Sequence, residues 1–173
     1  MTKKEKILEA GLKLFATEGY TATSTNKIAN AAGVSEALIF RHFLSKEGLL
    51  SAIVKEGESA FKNLYTPILK ESDPKEVIRL TIALPLTVPE SHYEFWRLQF
   101  RLKWELQSVN HKKSQPLIDK LSWAFAELGV AHPKQEAEFL SDYLEGLASQ
   151  ILLGKEVNKK KTEEFLLLKY KLT

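Results

Sequence analysis

Apolar residues along this chain recur every three or four positions and rarely alternate, which is the spacing of helices that bury one face. In the first such segment, residues 2–18, Ile7, Leu8, Leu12, Phe15 and Ala16 fall on one side. Thr2 and Glu5 have the spacing of a capping box, in which each side chain takes a backbone N–H left over at the helix start. Gly19 then supplies a left-handed stop. A short helix over 24–32 follows, with Thr23 and Ser24 as candidate caps, Ile28, Ala29 and Ala32 facing inward, and Gly33 at its end. Ser35 caps a third helix, 35–43, in which Ile39 and Phe43 stand four apart. Ser45 caps a fourth over 46–65, with Leu49, Leu50, Ile53, Val54, Ala60, Phe61, Leu64 and Tyr65 as its stripe, and Pro67 closes it.

Asp73-Pro74-Lys75-Glu76 is a further start signal, a cap followed by proline at the first helical position and a glutamate three after the cap. That helix reaches about Leu84, where Pro85 and then Pro89 interrupt the pattern. Ser91 and Glu94 start a helix to about Ser108. Another covers about 114–128, with Gly129 as its stop. Pro133 opens one ending at Gly154, and the last spans about 160–172, with the Lys159-Lys160-Lys161 run as a solvated loop before it. No strand-like alternation, Asn-Gly or Asp-Gly hairpin, or internal repeat is present. The expected fold is all-α, about nine helices, with a head over residues 1–47 and a helical bundle over 48–173.

Composition narrows the chemistry. At 173 residues, 44% hydrophobic and 27% charged, the chain can bury a core, and neither its hydrophobicity nor its charge is that of a disordered segment. Cysteine is absent, which excludes disulfides, thiolate metal sites and cysteine nucleophiles. The longest apolar stretch, residues 82–86, is far too short to span a bilayer. The first residues are charged and spaced unlike a signal-peptide core. The expected setting is therefore the cytoplasm, with no membrane partner. The histidines at 42, 92, 111 and 132 have no metal-ligand spacing, and no metal or cofactor is expected. No Gly-x-Ser-x-Gly, nucleotide-binding glycine loop or other catalytic motif is found, so the chain does not read as an enzyme.

The informative stretch is residues 23–43. It encodes two short helices joined by Ala32-Gly33-Val34-Ser35. The glycine permits a left-handed turn, Val34 can plug the space between the helices, and Ser35 caps the second. That is a helix-turn-helix pattern, whose second helix fits a DNA major groove. The same stretch resembles the DNA-binding domain of the TetR family of bacterial transcriptional regulators. The resemblance is carried by Thr25, Ile28-Ala29, Ala32-Gly33-Val34-Ser35, Phe40, His42-Phe43, Ser45-Lys46-Glu47 and Leu49, and covers about residues 5–54. It implies that Thr25 and Asn26 approach phosphates, that Ser35, Glu36, Ala37 and Leu38 face bases, and that Arg41 and His42 lie along the groove wall. It also implies that Lys46 holds a phosphate, helped by the free N–H groups of its helix start. Two positions depart from the family pattern. Phe40 stands where tyrosine is usual and lacks a hydroxyl to donate, though it can pack on sugar or a thymine methyl. Ala37-Leu38 replaces a small polar pair, which thins hydrogen-bonded readout and shifts specificity toward DNA shape.

Charge agrees in direction. Residues 1–50 carry seven basic and five acidic side chains, which places +2 of the chain's net +3 in the head.

The helix over 91–108 is apolar on two sides. Tyr93, Trp96, Phe100 and Trp104 lie on one, and Phe95, Leu98, Leu102 and Leu106 on the other. Such a helix is buried between layers, either as plain core or with its aromatic face lining a cavity. The resemblance favours a cavity for a small, largely apolar effector, closed by Trp123 and Phe125. Arg97, Arg101 and Glu105 could anchor a polar group, but surface salt bridges are the simpler reading. The two terminal helices carry Leu140, Leu144, Leu147 and Ile151, and Phe165, Leu166, Leu168 and Leu172. They are either intramolecular core or the seam of a homodimer through residues 134–172. The resemblance implies the dimer, and a repressor that binds a palindromic operator and releases it when an effector turns the fourth helix like a pendulum. The alternative is a helical protein-interaction module with a vestigial DNA-binding head.

Overall fold

The computed structural model describes residues 1–106 and 111–172, apart from the side chains of Ala60, Phe61, Trp104 and residues 111–114. Among the described residues the fold is all-α. Its order is α1 (Lys3–Glu18), α2 (Thr25–Ala32), α3 (Glu36–Phe43), α4 (Lys46–Lys70), α5 (Pro74–Thr87), a single 3-10 turn (Glu90–His92), α6 (Tyr93–Glu105), α7 (His111–Glu127), α8 (Pro133–Leu152) and α9 (Lys159–Lys169). No described helix is long and apolar enough to cross a membrane.

The chain forms two compact units. The first combines α1–α3, α4 as far as Phe61, and α6. Its core is Ile7, Phe15, Ala16, Tyr20, Ile28, Ala29, Ala32, Ile39, Phe43, Leu49, Ile53 and Leu98, with Leu38 and Leu102 packed against it. Two glycines let helices approach closely in it. A Cβ on Gly11 would meet Ile53 Cδ1 at 2.9 Å, and one on Gly57 would sit 2.0 Å from the Phe95 ring. The second unit packs α5, α7, α8 and α9 around Val77, Ile78, Ile82, Leu121, Phe125, Leu140, Leu144 and Leu166. Within it Arg79 donates to the Leu172 carbonyl. The Tyr170 hydroxyl donates to Glu136 at 2.8 Å, and burial first, then that carboxylate, pushes the phenol well above its ordinary pKa.

Most local signals act as read. Thr2 and Glu5 make the capping box at both ends, Ser24 accepts from the Lys27 N–H, and Gly33 is left-handed (φ 64°, ψ 40°). Several expectations need correction. Gly19 has positive φ but extended ψ (102°, 155°), so it redirects the chain without a left-handed helical cap. Ser35 occupies the cap position of α3, yet its hydroxyl makes no capping bond. Pro67 and Pro85 do not stop helices; both lie inside them. Each is followed closely by core residues, Ile68 in one case and Leu86 in the other, whose burial favours one more turn despite the lost backbone bond. Lys159, Lys160 and Lys161 are the exposed first turn of α9, because Asn158 caps it by accepting from the Lys161 N–H. The expected end of the sixth helix at Ser108 and the side chains of Ala60, Phe61 and Trp104 lie outside the described residues.

Candidate nucleic-acid interface

Within the first unit α2 and α3 are joined by the left-handed Gly33 and by the Val34 N–H donating to the Ala29 carbonyl at 3.0 Å. Val34 packs against the core, as a plug between the helices should. Ile39 and Phe43 anchor the inner side of α3. At 100° per residue, burying 39 and 43 turns Ala37 and Arg41 outward and sets Phe40 on the flank beside Ala37. All three are exposed, Phe40 to 44%. His42 is exposed at the same helix end, its ring tilted against Phe43.

Other expected DNA contacts are already engaged. The Thr25 hydroxyl donates to Glu36 Oε1 at 2.5 Å, so these two bridge the starts of α2 and α3. Asn26 Oδ1 accepts from Asn30 at 3.1 Å, and Asn26 remains exposed. Leu38 is half-buried, packed against the core of the first unit. Ser35 is exposed with its hydroxyl free of a cap bond.

Lys46 has a role that spacing alone did not disclose. Its ammonium donates to the carbonyls of Tyr20 at 2.9 Å and Thr23 at 3.0 Å, and lies 4.4 Å from the Tyr20 ring centre. Two of its three N–H donors therefore hold the α1–α2 turn to the start of α4. The Tyr20 hydroxyl donates to Glu47 Oε1 at 3.0 Å. Burial, reinforced by that carboxylate, pushes the Tyr20 phenol up to about 12. Glu47 is held below its ordinary value by its own backbone N–H, by the Ser45 hydroxyl and by Tyr20. Ser45 also caps α4 by accepting from the Gly48 N–H at 3.1 Å. Gly48 is required there: a Cβ would fall 1.9 Å from the Phe43 carbonyl oxygen.

The far end of α6 reaches the same turn. Glu105 Oε2 accepts the Thr21 N–H at 3.1 Å, and Arg101 donates to the Thr17 carbonyl at 2.7 Å. Arg101 and Glu105 also form the surface ion pair expected of them, at 3.7 Å. A side chain at Gly19 would strike Glu105, its Cβ 2.3 Å from Oε1. Sequence offers no signal for this hold, since the partners are 84 positions apart.

On α6 itself Phe95 and Leu98 are buried, Leu98 in the core of the first unit and Phe95 against Gly57. On the aromatic side Trp96 is buried, while Tyr93 and Phe100 are half-buried, with Lys103 over the Phe100 ring at 5.5 Å. Trp123 packs at the edge of the second unit's core with Lys120 over its ring at 4.1 Å. That unit also has an open groove of about 420 Å³ between α8 and the start of α9, lined by Tyr143, Gly146, Gln150, Asn158 and Thr162 among others. None of the aromatic residues singled out on α6 lines it. Among the described residues no cluster of three metal-ligating side chains forms.

Comparison with known proteins agrees with this geometry. The family model described as "Bacterial regulatory proteins, tetR family" matches residues 7–53. The uncharacterized HTH-type transcriptional regulator YvkB of Bacillus subtilis is 33% identical over 144 residues, covering 78% of this chain and 73% of that protein. Among solved structures, a TetR-like transcriptional regulator from Rhodococcus sp. RHA1 shares the fold at TM-score 0.80, with 19% identity and coverage of 95% of this chain and 91% of that one. AibR, solved in complex with isovaleryl coenzyme A and operator DNA, shares it at TM-score 0.71, with 18% identity and coverage of 96% and 97%. Helix-turn-helix, matching head and matching bundle together establish that this chain belongs to the TetR family of DNA-binding transcriptional regulators.

Proposed function

We propose that the protein is a repressor that binds a palindromic operator as a homodimer and releases it on binding a small, largely apolar effector. Residues 1–47 contact DNA, and residues 48–173 sense the effector and dimerise. The observation that carries this reading is the hold of Arg101 and Glu105 on the α1–α2 turn. One helix presents an aromatic side at Tyr93, Trp96 and Phe100 and grips the DNA head at its end. A ligand seated along the aromatic side displaces α6, and the displacement reaches the head through two charge-assisted hydrogen bonds. Switching requires that the effector favour one arrangement of the heads over the other. AibR offers a precedent for one such fold carrying both a ligand and DNA.

On the DNA side, Ser35, Ala37, Phe40 and Arg41 face the groove. Asn26, His42 and the third N–H of Lys46 approach the backbone, with Thr25 and Glu36 bracing α2 against α3.

The test is a panel of aliphatic and aromatic carboxylic acids scored in parallel by tryptophan fluorescence and by release of a bound operator duplex. Compounds that quench should also release DNA, and Trp96→Phe should weaken both responses together while ligand-free DNA binding persists. Quenching compounds that never alter DNA affinity would sink the coupling.

A further inference from the structure

One strip of the outward side of α3 is apolar where a base-reading helix is ordinarily polar. Ala37 and Phe40 are exposed on it, and Leu44 follows at the C-cap, 85% exposed. Leu44 also has φ 68°, a backbone conformation that favours glycine. The fold gains nothing from leucine there: the side chain is in solvent and the backbone is one a glycine would hold more easily. Glu36 accepts from Thr25, Arg41 stands outward beside the stripe, and His42 is exposed at the C-terminal end. The apolar stripe is thus bordered by the Arg41 guanidinium, a surface suited to a polyanion.

We propose that α3 reads its operator chiefly through thymine methyl groups, with Ala37, Phe40 and Leu44 as the contacts. The inference rests on α3 entering the major groove. There the C5-methyl of thymine is the apolar feature of the base-pair edges, and it alone separates an A·T pair from the rest by burial without a hydrogen bond. Arg41 and His42 supply phosphate or edge contacts that set the register. Leu44, at the end of the stripe, extends the reading by a base step beyond the helix itself. The half-site is accordingly rich in thymine at the positions under Phe40 and Leu44.

The experiment begins with the full chain selecting from a pool of random 30-base-pair duplexes. The best duplex is then synthesised with thymine and with deoxyuridine, first throughout and then one position at a time. This removes methyl groups and keeps every hydrogen bond. Each contacted methyl should be worth about fourfold in affinity, the size expected from burying one methyl group. Leu44→Gly, which suits the backbone and leaves the core untouched, should bind thymine and deoxyuridine alike at the position Leu44 contacts. Phe40→Ala should do so at its own position. Equal affinity of the wild type for thymine and deoxyuridine duplexes would overturn the proposal. So would an unchanged thymine-to-deoxyuridine ratio in both variants, which would leave the stripe to a protein contact. Failure to enrich any duplex would instead bring down the DNA-binding reading on which this one stands.

Discussion

Lys46 shows how a residue can be found by sequence while part of its work stays hidden. The Ser45-Lys46-Glu47 pattern marks a helix start that faces DNA, and the resemblance makes the lysine a phosphate ligand. The structure turns two of its donors inward onto the Tyr20 and Thr23 carbonyls. Lys46→Ala should therefore lower the unfolding free energy by about 2 kcal/mol, the scale of hydrogen bonds to a charged group. It should also reduce the salt slope of DNA binding by about one ion if the third donor holds a phosphate. Thermal melts and salt titrations of the same variant separate the two effects. Tyr20 and Glu47 make a pH prediction. The Tyr20 phenol is raised from 10.0 to about 12 in the folded state, so its contribution is intact below pH 10 and is lost as pH rises through 12. Glu47 is lowered from 4.5, so its contribution holds above that value and is lost as pH falls through the lowered one. Wild type should lose more stability between pH 8 and pH 11 than Tyr20→Phe does. Equal losses would show that the phenol is not coupled to folding. These contacts were illegible in the sequence because they join residues 26 and 27 positions apart.

At the scale of helices the sequence was readable wherever the deciding interaction is local. The Thr2–Glu5 capping box, the Ser24 cap and the left-handed Gly33 act between residues at most five apart, and periodicity found the buried faces of α1, α2 and α3, while the Asn158 cap went unread behind a lysine run. It misled where a local rule competes with tertiary burial. Pro67 and Pro85 look like stops, but α4 and α5 run through them to place Ile68 and Leu86 in buried sites. Gly57 is the opposite case, a glycine inside a helix that looks like a weak point and is in fact a contact. Its missing Cβ makes room for the Phe95 ring, which is how α6 is seated on α4 in the first unit. Gly57→Ala should force Phe95 or the helix to move and cost about 1–3 kcal/mol, measured by denaturant unfolding. An unchanged midpoint would mean that Phe95 rotates away freely and that α6 is not fixed there.

For the whole molecule, each terminal helix carries two neighbouring apolar stripes. Leu140, Leu144 and Leu147 are buried in the core of the second unit, as is Leu166. The apolar residues left exposed are Phe139 and Tyr143 on α8 and Phe165 and Leu168 on α9, at 55%, 40%, 60% and 63%. Periodicity located both helices but could not tell which stripe faces inward, since both are apolar. If the chain dimerises there, Phe139→Glu or Leu168→Glu should give a folded monomer by sedimentation, with unchanged helicity and DNA affinity lowered at least tenfold by loss of the second half-site. The central claim is that an effector-responsive dimer docks two such heads on one operator. The measurement that tests it most directly is the affinity and stoichiometry of the wild-type chain on the selected duplex as salt is raised. The account predicts two chains per duplex and a log–log slope more negative than about −3, from phosphate contacts contributed by both heads. One chain per duplex, or an affinity indifferent to salt, would contradict it.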